Sequence, residues 1–100
     1  MLQNDVIRIA MFLKKSFKTT DEFYKAVENL AELFDHHGFE KESKKLDILI
    51  HGVWTTGSEL IGEIMLYLES LNTNFPKDII NLKNRCHYFA KNHRKILGLD

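Results

Sequence analysis

Five histidines, one cysteine and 14 carboxylates are the side chains of this 100-residue chain with the most chemistry to offer. Glu32 and His36 stand four apart with Asp35 between them, a spacing that puts carboxylate and imidazole on one helical face and could begin a metal site. A di-iron bundle, however, needs Glu-x-x-His on two helices, and no Glu-x-x-His occurs in the chain. His36 and His37 therefore read as the cationic end of a helix, where imidazolium meets the negative end of the dipole. His93 falls among apolar positions, and an imidazole there needs a single partner to be buried neutral. Cys86 shares that pattern and reads as a small hydrophobe; as the one thiol it can form neither an intramolecular disulfide nor a Cys-x-x-Cys site. Neither Ser58 nor Cys86 stands in a nucleophile motif such as Gly-x-Ser-x-Gly. No catalytic, metal or cofactor-binding set is complete, so no cofactor is expected.

Two carboxylate pairs remain. Glu59 and Glu63 lie one turn apart, and Glu32 and Asp35 form a Glu-x-x-Asp; such pairs bind Mg2+ when helices bring them alongside each other. Glu32-Leu33-Phe34-Asp35 resembles half of the carboxylate set of all-helical nucleotide pyrophosphatases, which combine Glu-x-x-Glu and Glu-x-x-Asp on adjacent helices. The resemblance implies, as one alternative, a metal-dependent nucleotide hydrolase centred on Glu32, Asp35, Glu59 and Glu63. The second pair departs from that pattern, being spaced Glu-x-x-x-Glu, and Glu59 also fits a helix cap.

The segment from His51 to Ser58 gathers two glycines, the only tryptophan and three hydroxyls ahead of a helix start. Free backbone donors at such a start can hold an anion or an acidic side chain, which makes Trp54, Thr55, Thr56 and Ser58 candidate partner-binding residues. A phosphate loop would need Gly-x-x-x-x-Gly-Lys after a strand, and neither is present. The plainer reading is a capped helix start with Trp54 as a core plug.

Charge cancels overall, with 14 basic and 14 acidic residues, so no net field draws the chain to nucleic acid or anionic lipid. It is nevertheless segregated. Residues 5 to 18 carry four bases and one acid, residues 21 to 35 five acids and one base, residues 59 to 69 three acids, and residues 77 to 97 six bases against Asp78. Asp21, Glu22, Glu28, Glu32 and Asp35 make the second stretch an acidic docking face for a protein partner. Arg85, Lys91, Arg94 and Lys95, with Tyr88 beside them, make the last stretch an alternative nucleic-acid surface. Basic and acidic helices could also simply pair with each other at the surface.

The elements that must hold these residues are helices. The 5 glycines and 1 proline are about half the usual share of ~12%, which leaves few hairpin turns. A first helix is expected from about Asn4 to Phe17, with Val6, Ile9, Ala10, Leu13 and Phe17 as its stripe. Thr19 and Glu22 match a capping box, and Phe23, Val27, Leu30 and Phe34 give the second helix one face, closed by Gly38. A third helix runs from Glu40 to His51, its apolar set being Leu46, Leu49, Ile50 and Val53. Thr56 and Glu59 repeat the capping box for a fourth, in which Leu60, Ile61, Ile64, Met65 and Leu68, widened by Leu66 and Tyr67, predict the most buried element. Pro76 suits the start of a fifth, from about Lys77 to Leu97, with a seam at Ile79, Leu82, Cys86, Phe89, His93 and Ile96.

These elements amount to one all-α domain over residues 1–100, a compact bundle of about five mostly antiparallel helices. The longest apolar run, Ile64 to Leu68, is far below the ~20 residues that cross a bilayer, and no secretion signal is evident, so a cytoplasmic location with no membrane partner is expected. The favoured function is a non-enzymatic protein-interaction module, by analogy of size and fold class an immunity protein or antitoxin that caps a toxin or another regulatory target. A homodimer through the fourth and fifth helices is a further expectation.

Overall fold

The computed structural model describes residues 17–96, the last three as backbone only. Four helices lie within that range: α1 (Thr20–His36), α2 (Glu40–His51), α3 (Gly57–Ser70) and α4 (Lys77–Ile96). The expected helix from Asn4 falls outside the described residues apart from Phe17, which is not helical. Around the bundle α1 packs against α2 and α4, and α3 against α4 and more lightly α2. The diagonal pairs, α1 with α3 and α2 with α4, keep their backbones further apart, although the Tyr24 side chain of α1 reaches Gly57 at the start of α3.

Local chemistry sets the boundaries. Before α1 the Glu22 amide donates to Thr19 Oγ1 at 3.1 Å, and the Glu22 carboxylate accepts from the Lys18 amide at 3.2 Å, so two donors that no helix turn can satisfy are covered by side chains. At its other end Gly38 adopts φ +86°, a conformation that a Cβ disfavours. That turn lets the Phe39 amide donate to the Phe34 carbonyl at 2.7 Å and the Gly38 amide to Asp35 at 3.0 Å. The paired bonds form a Schellman close, and its usual apolar contact is present as Phe39 against Phe34, ring centroids 6.2 Å apart. Helix α3 starts with half of the arrangement that opens α1, the Glu59 amide donating to Thr56 Oγ1 at 3.1 Å with no return bond to the Glu59 carboxylate among the described residues.

The core is centred on α1, which buries Phe23, Ala26, Val27, Leu30, Ala31 and Phe34. Helix α3, the element expected to be most buried, matches α1 in proportion, with five of its 14 residues buried, Gly62 among them, against six of 17. Helix α3 does bury Leu60, Ile61, Ile64 and Leu68, but its extra apolar width is not all used, because Leu66 is exposed. Aromatic rings close the two ends of α1. Phe23 stacks on Phe89 at 4.9 Å and stands near Phe17 and Tyr24, while Phe34 meets Phe75 at 5.2 Å and Phe39. Each such pair adds about 0.5 to 1.5 kcal/mol beyond the area it buries.

Two apolar stripes sit differently from expectation. On α4 the innermost residues are Ile79, Lys83, Cys86 and Ala90, while Leu82, Phe89 and His93 flank them half-buried. Small Ala90 fits the closest approach, and the Lys83 stem can lie along apolar surface with its ammonium kept toward water. After α2 the apolar rhythm stops at Gly52, so Val53 is left fully exposed (102%). No helix among the described residues is long and apolar enough to cross a membrane.

Candidate functional site

Four of the five acidic residues of α1 fall on one line, with Lys25 among them. At about 100° per residue, Asp21, Lys25, Glu28, Glu32 and Asp35 lie within roughly 80° of one another around the helix axis, opposite the buried face. All are exposed except Glu28, which is half-buried. The basic helix α4 forms no ion pair with this stripe among the described residues. Among the described residues there are two ion pairs, and both join a histidine to a carboxylate outside it: His37 Nε2 to Asp78 Oδ2 at 3.0 Å, and His87 Nε2 to Glu69 Oε2 at 2.8 Å. The first ties the end of α1 to the start of α4, and the second ties the end of α3 to the middle of α4. The hydrogen bond from His37 holds the Asp78 carboxyl below its ordinary range, helped by the Ile79 amide.

The loop from His51 to Ser58 is occupied with its own structure. The Trp54 indole N–H donates to the Leu49 carbonyl at 2.7 Å, an acceptor at the end of α2 that otherwise receives a longer bond of 3.4 Å from the Gly52 amide. The half-buried ring covers Gly52 so closely that a Cβ there would lie 3.0 Å from the Ile48 carbonyl oxygen and 3.1 Å from the indole nitrogen. Thr56 is the cap of α3, Ser58 is half-buried, and Thr55 is exposed. The loop meets α1 near Tyr24, whose hydroxyl would stand 3.3 Å from a Cβ on Gly57. Asp35 is eleven residues further on, roughly 16 Å along the helix, so loop and distal acids do not form one patch.

The basic helix divides as well. Lys91 is exposed beside the exposed Tyr88, whereas Arg85 is half-buried on another side of α4, its guanidinium carbon 5.0 Å from the centroid of the Phe17 ring. The Arg94 and Lys95 side chains lie outside the described residues. Arg85, Leu82 and Phe17 line a groove of about 550 Å³ with Asp21, Glu22, Lys25, Ala26 and Asn29 of α1. The Arg85 Nε itself is buried and has no hydrogen-bond acceptor among the described residues. Sequence spacing did not reveal this groove, because it depends on how α1 and α4 pair; the signal available was an arginine one turn after Leu82.

The titratable interior is quiet. Burial pushes the Cys86 thiol up to about 12, so it is protonated and unreactive at neutral pH. Burial, and then the nearby Asp21, raises Tyr24; burial and Glu42 raise Tyr67. No three His, Cys, Asp or Glu side chains among the described residues are grouped so as to hold a metal ion. Glu32 and Asp35 stand on α1, Glu59 and Glu63 on α3, two helices whose Cα atoms nowhere come within 8 Å of each other. No protein-family model, characterised protein or solved structure matches this chain.

Proposed function

We propose that the chain is a non-enzymatic protein-interaction module whose α1 stripe, Asp21, Glu28, Glu32 and Asp35, docks on a basic surface of another protein. One observation carries the reading: these carboxylates stand on one face opposite the buried one and make no ion pair among the described residues. Asp21 suits the first turn of α1, but the placement of the other three works against the helix that bears them. Glu28 and Glu32 repel each other four residues apart by about 0.2 to 0.5 kcal/mol. Asp35 sits in the last turn, facing the negative end of the dipole, at a cost of about 0.3 to 1 kcal/mol. Charges held against stability are what a functional surface retains. Aligned on one face, they would steer a basic partner and fix its register. By size and plainness, an immunity protein or antitoxin that caps a toxin is the class of binder meant.

The test compares wild type with the neutralised variant Glu28→Gln/Glu32→Gln/Asp35→Asn as immobilised baits in one native lysate. A basic protein retained by wild type and lost from the variant supports the reading, provided high salt also releases it. Equal retention by both baits, or retention indifferent to salt, refutes it.

A further inference from the structure

Beside the acidic stripe of α1, helix α2 carries a basic one. At about 100° per residue, Lys41, Lys44, Ile48 and His51 lie within roughly 80° of one another, on the side of α2 away from its buried Leu46 and Leu49. All four are exposed, Ile48 at 66%, and neither lysine makes an ion pair among the described residues. Glu40 and Asp47 border this line on one edge and Lys45 on the other, and no acid stands within it. The register of the two helices matches the two lines. A three-residue turn, His37 to Phe39, joins α1 to α2 and the helices pack along each other, so they run antiparallel and residues equally far from the turn stand at one height. Asp35 is thus level with Lys41, and Glu32 with Lys44. A two-fold rotation about an axis parallel to the helices lays α1 of one copy over α2 of another and keeps those heights, so each carboxylate meets an ammonium and every contact occurs twice. An axis across the helices would instead set acid on acid.

We infer that two copies of this chain pair through their α1–α2 hairpins as a weak symmetric dimer, with reciprocal Asp35–Lys41 and Glu32–Lys44 contacts. Zero formal net charge lets the copies approach without overall repulsion, so these local attractions decide the docking. Pairing also takes Ile48 of each copy out of water beneath α1 of the other. The inference rests on the reading of the α1 stripe as a docking face and puts a second copy on it. The basic partner proposed above would displace that copy, since both need Glu32 and Asp35.

Sedimentation equilibrium of the full chain at low salt is the test. Exposed ion pairs are individually weak, so a dissociation constant on the order of 100 µM is expected, and the chain is monomeric at the micromolar concentrations of an unfolding experiment. Salt at about 0.5 M should dissociate the dimer. Lys41→Glu/Lys44→Glu and Glu32→Lys/Asp35→Lys should each weaken self-association roughly tenfold or more. Mixing the two should restore pairing as a heterodimer, because every reversed charge then meets its opposite. Lys77→Glu/Lys91→Glu, the same charge change at exposed positions of α4, is the control: it should dimerise like wild type and should not pair with Glu32→Lys/Asp35→Lys. Each variant must keep the wild-type circular dichroism. If one does not fold, carbodiimide coupling of mixed light and heavy isotope-labelled wild-type chains takes its place, with Lys41–Asp35 or Lys44–Glu32 links between differently labelled copies as the expected product. A monomer at millimolar concentration, association unmoved by Lys41→Glu/Lys44→Glu, a swapped pair that stays apart, or links between copies only at other residues would each overturn the inference. Those results leave capture of a basic protein standing, since the Lys41→Glu/Lys44→Glu bait keeps the α1 stripe and should still retain that protein. Loss of the salt-sensitive capture alone defeats the broader reading.

Discussion

Replacing Trp54 by Phe and by Ala separates two contributions that the α2–α3 loop makes to stability. The indole N–H to Leu49 bond at 2.7 Å is lost in both variants, and a hydrogen bond of this kind is worth about 0.5 to 1.5 kcal/mol net. Phenylalanine keeps most of the ring contact, so Trp54→Phe should cost about 1 kcal/mol. Alanine also removes the half-buried ring. Taking about 100 Å² of lost burial from the ~200 Å² of a tryptophan, at ~25 cal/mol per Å², adds roughly 2.5 kcal/mol. Trp54→Ala should therefore cost about 3 to 4 kcal/mol, a drop in Tm of more than 10 °C for a domain this small. Urea unfolding followed by far-ultraviolet circular dichroism measures both, and avoids the fluorescence signal that the substitutions remove. A loss below about 1 kcal/mol for Trp54→Ala would refute the clamp and leave the ring available as a partner contact.

Other expectations concern caps, thiol and pH. Thr19→Ala and Thr56→Ala should each cost about 1 kcal/mol in the same unfolding assay, with Ser variants close to wild type; a difference within noise would show that these oxygens do not cap. Cys86 should resist a thiol reagent at mildly alkaline pH in the native protein and react at once in denaturant, and rapid native labelling would contradict its burial and its pKa of about 12. Because the folded-state pKa of Asp78 is lowered from 3.8, its contribution is present above that value and fades as pH falls through the lower one. The stability gap between wild type and Asp78→Asn should accordingly shrink as the pH falls below about 4, and a gap that widens there would reverse the sign.

What the sequence made legible was mostly local. Thr19 with Glu22, Thr56 with Glu59, and Gly38 were readable because caps and left-handed turns depend on neighbours in the chain. The buried face of α1 was readable because four large apolar residues keep one rhythm. The rotation of α4 was not, since choosing Lys83 and Ala90 over Leu82 and Phe89 depends on the space left by α1. Val53 continued an apolar pattern that the chain had already abandoned at Gly52. The acidic stripe was visible in spacing alone, whereas its lack of ion pairs and the unpartnered Arg85 Nε among the described residues follow from how the helices meet.

The most direct measurement is the unfolding free energy of the Glu28→Gln/Glu32→Gln/Asp35→Asn variant at low salt. If these carboxylates are kept for a partner, their removal relieves repulsion and the unfavourable dipole contact, and stability should rise by about 0.5 to 1 kcal/mol. A fall of more than about 1 kcal/mol would mean that the fold itself uses those charges, and the account of a docking face would be wrong.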